Sequence, residues 1–466
     1  MEEIITNENR LSPEVVEEMV TSKRYSALRD ILQEMNPADI AEFLEDVRTE
    51  HLPILYRILP KGLAAEVFVE LDSDLQRTLI SAFSDYELRQ TLDELYLDDT
   101  VDLIEEMPAN VVNRILRNST PEARKTINEL LKYPDDSAGS IMTTEYVGLK
   151  QDMTVDEAFD LIRRVAIDKE TIYTCYVISP NRKLIGIITA KTLMISPRDA
   201  KVGDIMEQNV ISVYTHTDKE EVGMMFSKYS FLALPVVDTE GRMVGIITVD
   251  DAIEVIHEEA DEDFAVMAAI TPSETTYLKT SVFSIFKSRI PWLLILMLSA
   301  TLTGIIISGF EEGLSACVVL TAFIPMLMGT GGNSGSQSSV TVIRGLSLDE
   351  IEFRDIARVV WKEARVSVLC AIVLMVVSYV KIFLVDYLLM HTLTPDEALI
   401  VPLVVCLTLG VTVITAKLIG CILPILAKKI GFDPAVMASP FITTLVDAVS
   451  LMCYFGIAAM LIPGLI

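Results

Sequence analysis

After residue 263 the chain is built almost wholly of apolar stretches long enough to cross a bilayer, which points to a membrane-embedded helical bundle. Five segments, at about 290–309, 314–343, 366–388, 398–427 and 434–463, each reach the roughly 20 residues a spanning helix needs. Lys381 and Asp386 interrupt the third and Lys417 the fourth. In the fifth, Asp447 is the lone charge between Pro434 and the C-terminus. For a span starting near Met437 it lies ~15 Å deep, near the midplane. An ionised group there is costly and ordinarily faces a bundle interior or a water-filled path. A structural ion pair with Lys417 is the plainer alternative.

Charge divides the molecule. Residues 1–263 hold 53 acids against 26 Lys and Arg, a net of −27, whereas residues 264–466 hold 13 acids against 12 bases. The acidic half disfavours nucleic acid and favours multivalent cations. The N-terminus, MEEIITNENR, argues against a signal peptide and places that half in the cytosol. The 344–365 loop carries five Lys and Arg and the 428–433 loop carries Lys428 and Lys429, while FEEG (310–313) and LMHTLTPDE (389–397) carry none. The positive-inside rule then puts the N-terminal half inside and the C-terminus outside a cell membrane, consistent with five spans. Six cysteines, five of them in apolar segments, suggest neither disulfides nor zinc.

The second span contains PMLMGTGGNSGSQSS, Pro325 to Ser339. Close helix packing through small residues explains its glycines. Asn333, Ser336 and Gln337 add a polar wall, which belongs beside protein or a water-filled cavity rather than lipid.

The soluble half reads as two repeats. Pro37, Pro60, Ser84, Pro108 and Pro134 recur every 23 to 26 residues near helix boundaries, with amphipathic spacing between them from Arg29 onward. That is a solenoid of helix–turn–helix units over 1–136. Asp98 and Asp102 share one helix face there, and a solvated acidic face is the commoner explanation for such a pair. Residues 137–199 and 200–258 then repeat a strand–helix–strand–strand–helix pattern, with RKLIGIITAKTL answered by GRMVGIITVDDAI. These copies resemble tandem cystathionine-β-synthase (CBS) domains, a module that often binds adenosine nucleotides such as ATP. The resemblance implies a ribose-holding acid three residues after the Thr of the repeated segment. Thr248 and Asp251 supply it in the second copy, while Thr192 replaces the acid in the first.

Residues 250–263, DDAIEVIHEEADED, hold eight acids in 14 positions and no Lys or Arg. Such a run is either a solvated acidic helix or a place for oxygen-ligated divalent cations. Residues 259–289 read as a connector between soluble half and membrane, amphipathic over 264–289.

The order of parts resembles the MgtE-type magnesium channels and transporters, with PMLMGTGGNSGSQ and DPAVMASPFITTLVDA as the specific motifs. The implied fold is a multi-domain membrane protein: an all-α helical-repeat solenoid, an α/β tandem CBS pair and a five-helix transmembrane bundle over 290–466. The implied function is uptake of Mg²⁺ by a homodimer whose path is lined by the second and fifth spans. Asp447 then supplies the central ion site, with Gly329, Gly332 and Thr443 beside hydrated ions. The resemblance further assigns a Mg²⁺ sensor to Asp251, Glu259, Glu262 and Asp263, and the cytosolic pore entrance to Asp433. On spacing alone it extends to Glu66, Asp98 and Asp102. Ser336 and Val340 depart from the family's Asn and Thr, so secondary pore sites differ.

Two rival readings are a membrane-anchored metal or nucleotide sensor without conduction and a broader Co²⁺/Mn²⁺ transporter. A chloride channel with CBS domains is disfavoured by the intramembrane acid. Catalysis finds no support: His51, His216, His257 and His391 lie apart and no nucleophile–base pair is visible.

Overall fold

The computed structural model describes residues 13–272, 277–278, 280–348, 350–395, 397–437 and 439–462. The chain divides into two compact units between Ile256 and His257.

In the first unit, helices alternate with short turns: α1 (Pro13–Thr21), α2 (Tyr25–Leu32), α3 (Pro37–Glu45), α4 (Leu52–Ile58), α5 (Lys61–Val69), α6 (Ser73–Ala82), α7 (Asp85–Leu92), α8 (Leu97–Glu106), α9 (Ala109–Asn118) and α10 (Pro121–Leu130). The expected punctuation does start alternate helices. Pro37 opens α3, and Pro60, Ser84 and Pro108 immediately precede α5, α7 and α9, where a missing N–H or a capping oxygen suits the exposed first turn. Pro134 instead lies in the turn after α10, and the helices begin at Pro13 rather than Arg29. Helices pack on the next but one along most of the array, α3 on α5, α5 on α7 and α7 on α9. Leu28, Leu44, Leu55, Phe68, Ile80 and Leu88 are fully buried between them, each contributing about 1.5–3 kcal/mol of apolar burial.

Two small sheets follow. β1 (Gly148–Leu149), α11 (Val155–Val165), β2 (Thr174–Ile178), β3 (Leu184–Thr189) and α12 (Ala190–Ile195) form the first copy. α13 (Val202–Ile205), β4 (Val213–Tyr214), α14 (Lys219–Tyr229), β5 (Ala233–Val237), β6 (Met243–Thr248) and α15 (Val249–Met267) form the second. In each sheet the first strand runs parallel to the second and the third antiparallel. The copies interlock: the segment leading into the first bridges β6 at Thr143–Ile246, and the segment leading into the second bridges β3 at Ile187–Glu207. This crossing explains the repeated glycine, because a Cβ on Gly245 would stand 2.5 Å from Thr143 O. The second copy shares one hydrophobic core with the helical repeats, while the first keeps its own around Leu149, Ala158 and Val177.

The second unit is helical. α16 (Val282–Gly309), α17 (Glu311–Ala316), α18 (Ile324–Ser347), α19 (Ile356–Lys381), α20 (Glu397–Lys429) and α21 (Ser439–Leu461) are its α-helices, and a π-helical turn extends α19 through Leu389. Among the described residues, four helices are long and apolar enough to cross a membrane: Val282–Gly309, Phe353–Leu389, Glu397–Lys429 and Pro434–Leu461. α18 has the length but is rich in Gly and Ser. The expected second span at 314–343 is corrected here. Its start is broken at Cys317 (φ −138°, ψ 77°) into α17 and a 3-10 turn, and Pro325 then opens a helix running on to Ser347. The expected connector is divided as well. Residues 264–267 finish α15 and residues 282–289 begin α16, while 273–276 and 279 lie outside the described residues. Two contacts seat α21: Tyr454 OH donates to Leu320 O at 2.9 Å, and Phe455 stacks on Phe310 at 4.4 Å.

Candidate metal centre and ion path

In the first unit, α8 carries Asp98, Asp99 and Asp102 towards the CBS pair. Asp98 is only 8% exposed. Oxygens of Asp98, Glu145 and Glu170 lie within 4.8 Å of one another. Glu145 and Glu170 come from separate loops of the first copy, tied by the bond from Glu170 N to Glu145 O at 3.0 Å. Asp251, in the first turn of α15, accepts from Thr248 Oγ1 and lies close enough to these acids to shift them. The charged neighbours acting on each group are all carboxylates.

The electrostatic consequence is large. Burial first, then Asp99, Asp251 and Glu170, raise the Asp98 carboxyl well above its ordinary range. Burial and Asp251 push Asp99 up to about 7, and burial with Asp99 and Asp251 pushes Glu170 up to about 8. Asp102 is also pushed up to about 8, by desolvation and then Asp251 and Glu105. Its side chain is exposed within the chain, so water screens that shift and it counts for less than those of Asp99 and Glu170. Asp98 Oδ1 and Glu170 Oε2 are buried without a hydrogen-bond partner among the described residues. Buried, mutually repelling and unsatisfied oxygens fit a hard divalent cation, which supplies both charge and coordination. Asp98, Glu145, Glu170 and Asp251 are the residues that would hold it.

In the second unit, α18 presents two contrasting faces. One is packed: a Cβ on Gly331 would stand 2.6 Å from Thr412 Cγ2, and on Gly332 2.9 Å from Thr443 Cγ2. A Cβ on Gly335 would stand 2.8 Å from Ile442 Cγ2, and Gly335 O crowds Gly420 of α20. These glycines let α18 sit against α20 and α21 at close range. The other face, Gly329, Asn333, Gln337 and Val340 at helical spacing, is exposed within the chain. Gly329 has nothing near its missing side chain. Asp447 stands one turn beyond Thr443 on α21 and is half-buried. Lys417 is 5% exposed, and no ion pair among the described residues joins it to Asp447.

At the end of α18 the acids meet again. Ser347 Oγ donates to Asp263 Oδ2 at 3.1 Å, and burial together with Asp433 raises Asp263 above its ordinary range. Gly431 (φ +82°) turns the chain after α20, and Asp433 Oδ1 then accepts from Ala435 N at 2.7 Å. Val266 and Met267 of α15 pack against Ile343 and Ala435.

Known proteins match these parts. A model described as a divalent cation transporter, MgtE, matches residues 324–457. The MgtE intracellular N domain matches 35–136, and CBS domains match 138–197 and 202–258. A relative from Thermus thermophilus named magnesium transporter MgtE is 36% identical over 442 residues, 94% of this chain and 96% of that one. One of the same name from Bacillus subtilis is 33% identical, covering 94% of each. The chain belongs to the MgtE family.

Among solved structures, the cytosolic domain of the Mg²⁺ channel MgtE in complex with ATP matches with a TM-score of 0.50 and 36% identity, covering 52% of this chain and all of that one. The soluble part of a magnesium transporter matches with a TM-score of 0.50 and 30% identity, covering 53% and 98%. MgtE proteins are membrane transporters, not enzymes. Of the acids expected from resemblance to the family, Asp98, Asp102 and Asp251 share one neighbourhood, and Asp263 and Asp433 another. Glu259 is half-buried and Glu262 exposed on α15. Glu66 is exposed on α5. Glu145 and Glu170 were missed, because MTTEYV and IDKETI carry no local sign of a ligand.

Proposed function

We propose that this MgtE-family chain is a homodimeric Mg²⁺ channel of the cell membrane, closed when cytosolic Mg²⁺ binds its acidic half. Its N-terminal half is cytosolic and its C-terminus outside. The carrying observation is the exposed stripe of Gly329, Asn333 and Gln337 on α18, a helix whose opposite stripe is tightly packed. A bilayer does not favour that surface; a partner copy and a file of hydrated ions do. Two Asp447 carboxylates across the dimer axis, with Gly329, Gly332, Asn333, Ser336 and Thr443, would bind Mg²⁺ through its waters, which it gives up reluctantly. The cluster at Asp98, Glu145, Glu170 and Asp251 supplies the sensor, joined by Asp102 on α8, by Glu259, Glu262 and Asp263 on α15 and by Asp433 after α20. Glu66 contributes at longer range. A relative's cytosolic domain binds ATP, and Thr248 with Asp251 is the place for a nucleotide here.

Flux of Mg²⁺ into liposomes holding the purified chain, at low and high internal Mg²⁺, tests the proposal. Uptake that falls as internal Mg²⁺ rises supports it. Absence of flux at every internal concentration favours a non-conducting sensor, and equal flux of Co²⁺ or Mn²⁺ favours the broader transporter.

A further inference from the structure

A second feature of the helical unit takes no part in the ion path. Lys428 and Lys429 are the last residues of α20, a helix of spanning length, so they stand at the level of lipid headgroups. Beside them the loop after α18 folds back, Ile351 N bonding to Gly345 O at 2.9 Å and the Ile351 side chain filling the space over Gly345. The result is a cavity of about 220 Å³ with two chemically distinct parts. Leu346, Ile351 and Ile425 make its apolar floor. Lys428, Lys429, Phe353 and Glu352 make its rim. Lys428 Nζ is fixed there by donating to Leu346 O at 2.7 Å, and Lys429 Nζ lies 3.8 Å from the Phe353 ring centroid.

The rim's charge is positive. Glu352 is held by Arg354 at 2.8 Å, and the neighbouring Asp355 by Arg358 at 3.1 Å. Lys429 forms no ion pair among the described residues. Basic pockets between membrane helices on the cytoplasmic side suit anionic headgroups, and the apolar floor suits the glycerol and first acyl carbons below the phosphate. A free phosphate would use the rim and leave that floor in water.

We propose that this cavity binds the headgroup of an anionic phospholipid of the inner leaflet, with Lys428 and Lys429 on the phosphate. The assignment of leaflet rests on the orientation proposed above; the site itself does not. Full-length protein, extracted in detergent from membranes containing phosphatidylglycerol and phosphatidylethanolamine, is examined by native mass spectrometry for retained lipid. Wild type retains phosphatidylglycerol selectively. Lys429→Gln lowers that retention about fivefold, the factor equivalent to ~1 kcal/mol per basic residue near an anionic surface. Lys428→Gln/Lys429→Gln lowers it further, and Lys362→Gln, exposed on α19 and outside the cavity, leaves it unchanged. Retention untouched in Lys429→Gln and in the double variant overturns the site. An equal loss in Lys362→Gln also overturns it, in favour of diffuse surface charge. Displacement of the lipid by inorganic phosphate overturns the headgroup in favour of a free anion. Cysteine labelling from either side of intact vesicles tests the orientation separately, and lipid retention in detergent is independent of its result.

Discussion

At the scale of single residues, the glycines of α18 divide by what their missing side chains would meet. Gly331 and Gly335 face atoms closer than a Cβ can approach, so Gly331→Ala or Gly335→Ala should destabilise the bundle by about 1–3 kcal/mol, the cost of overpacking. Gly329→Ala meets open space within the chain and should raise the melting temperature slightly, because Ala favours a helix interior over Gly by about 1 kcal/mol. Detergent-solubilised thermal unfolding of the three variants checks this, and equal stability in all three would place the close contact elsewhere. Asp447 behaves differently again. Asp447→Asn keeps the shape and a polar end but removes the charge, so the protein should fold while Mg²⁺ flux drops at least tenfold, about 1.4 kcal/mol of lost ion stabilisation. Undiminished flux would move the central ion site. Asp447 stands out in the sequence as a lone charge in an apolar stretch, and no ion pair among the described residues joins it to Lys417. Glu145 and Glu170 were not legible, since a ligand pair made by two loops meeting has no spacing to read.

At the scale of elements, what recurs in sequence recurs in space. The period of about two dozen residues in the solenoid reflects helix starts, and Ser84 shows the mechanism. Its hydroxyl accepts from Glu87 N at 3.2 Å while Glu87 returns to Ser84 N at 2.7 Å, and Arg57 grips the same carboxylate at 2.7 Å. Ser84→Ala removes the cap from α7 and should cost about 1 kcal/mol, read as a lower unfolding midpoint of the acidic half with unchanged flux at low internal Mg²⁺. A midpoint equal to wild type would mean the cap contributes nothing. The second span was less legible. Hydropathy does not mark the break, because apolar residues stand on both sides of Cys317, yet Cys317 leaves helical geometry and α18 starts only at Ile324. Its Gly and Ser content also puts α18 outside the set of helices apolar enough to span by composition, although it packs tightly on both α20 and α21. Tertiary packing, which composition does not encode, decides that element.

At the scale of the whole molecule, the acidic half carries carboxylates whose burial opposes their charge. Asp99 and Glu170 are pushed up to about 7 and about 8 in the folded chain, against an ordinary carboxylate range near 4. The folded state therefore holds protons that the unfolded state has released. Stability is then greatest below the ordinary range and declines as pH rises from about 4 through about 8. A divalent cation takes the place of those protons only when the carboxylates are ionised, so Mg²⁺ should stabilise most at the alkaline end of that window. Thermal melting of the acidic half, followed in the full chain at pH 5 and pH 8 with and without Mg²⁺, gives the check. Without Mg²⁺ the midpoint should fall between pH 5 and pH 8; with millimolar Mg²⁺ the fall should shrink, because a ligand that binds only the folded state adds RT ln(1 + [L]/Kd). Neutralising Asp98, Glu170 and Asp251 together should shrink the pH slope, since Asp99 remains, and abolish the Mg²⁺ response, leaving a path that internal Mg²⁺ no longer closes. A variant that loses the Mg²⁺-dependent stabilisation yet still closes at the wild-type internal concentration would separate the cluster from the gate.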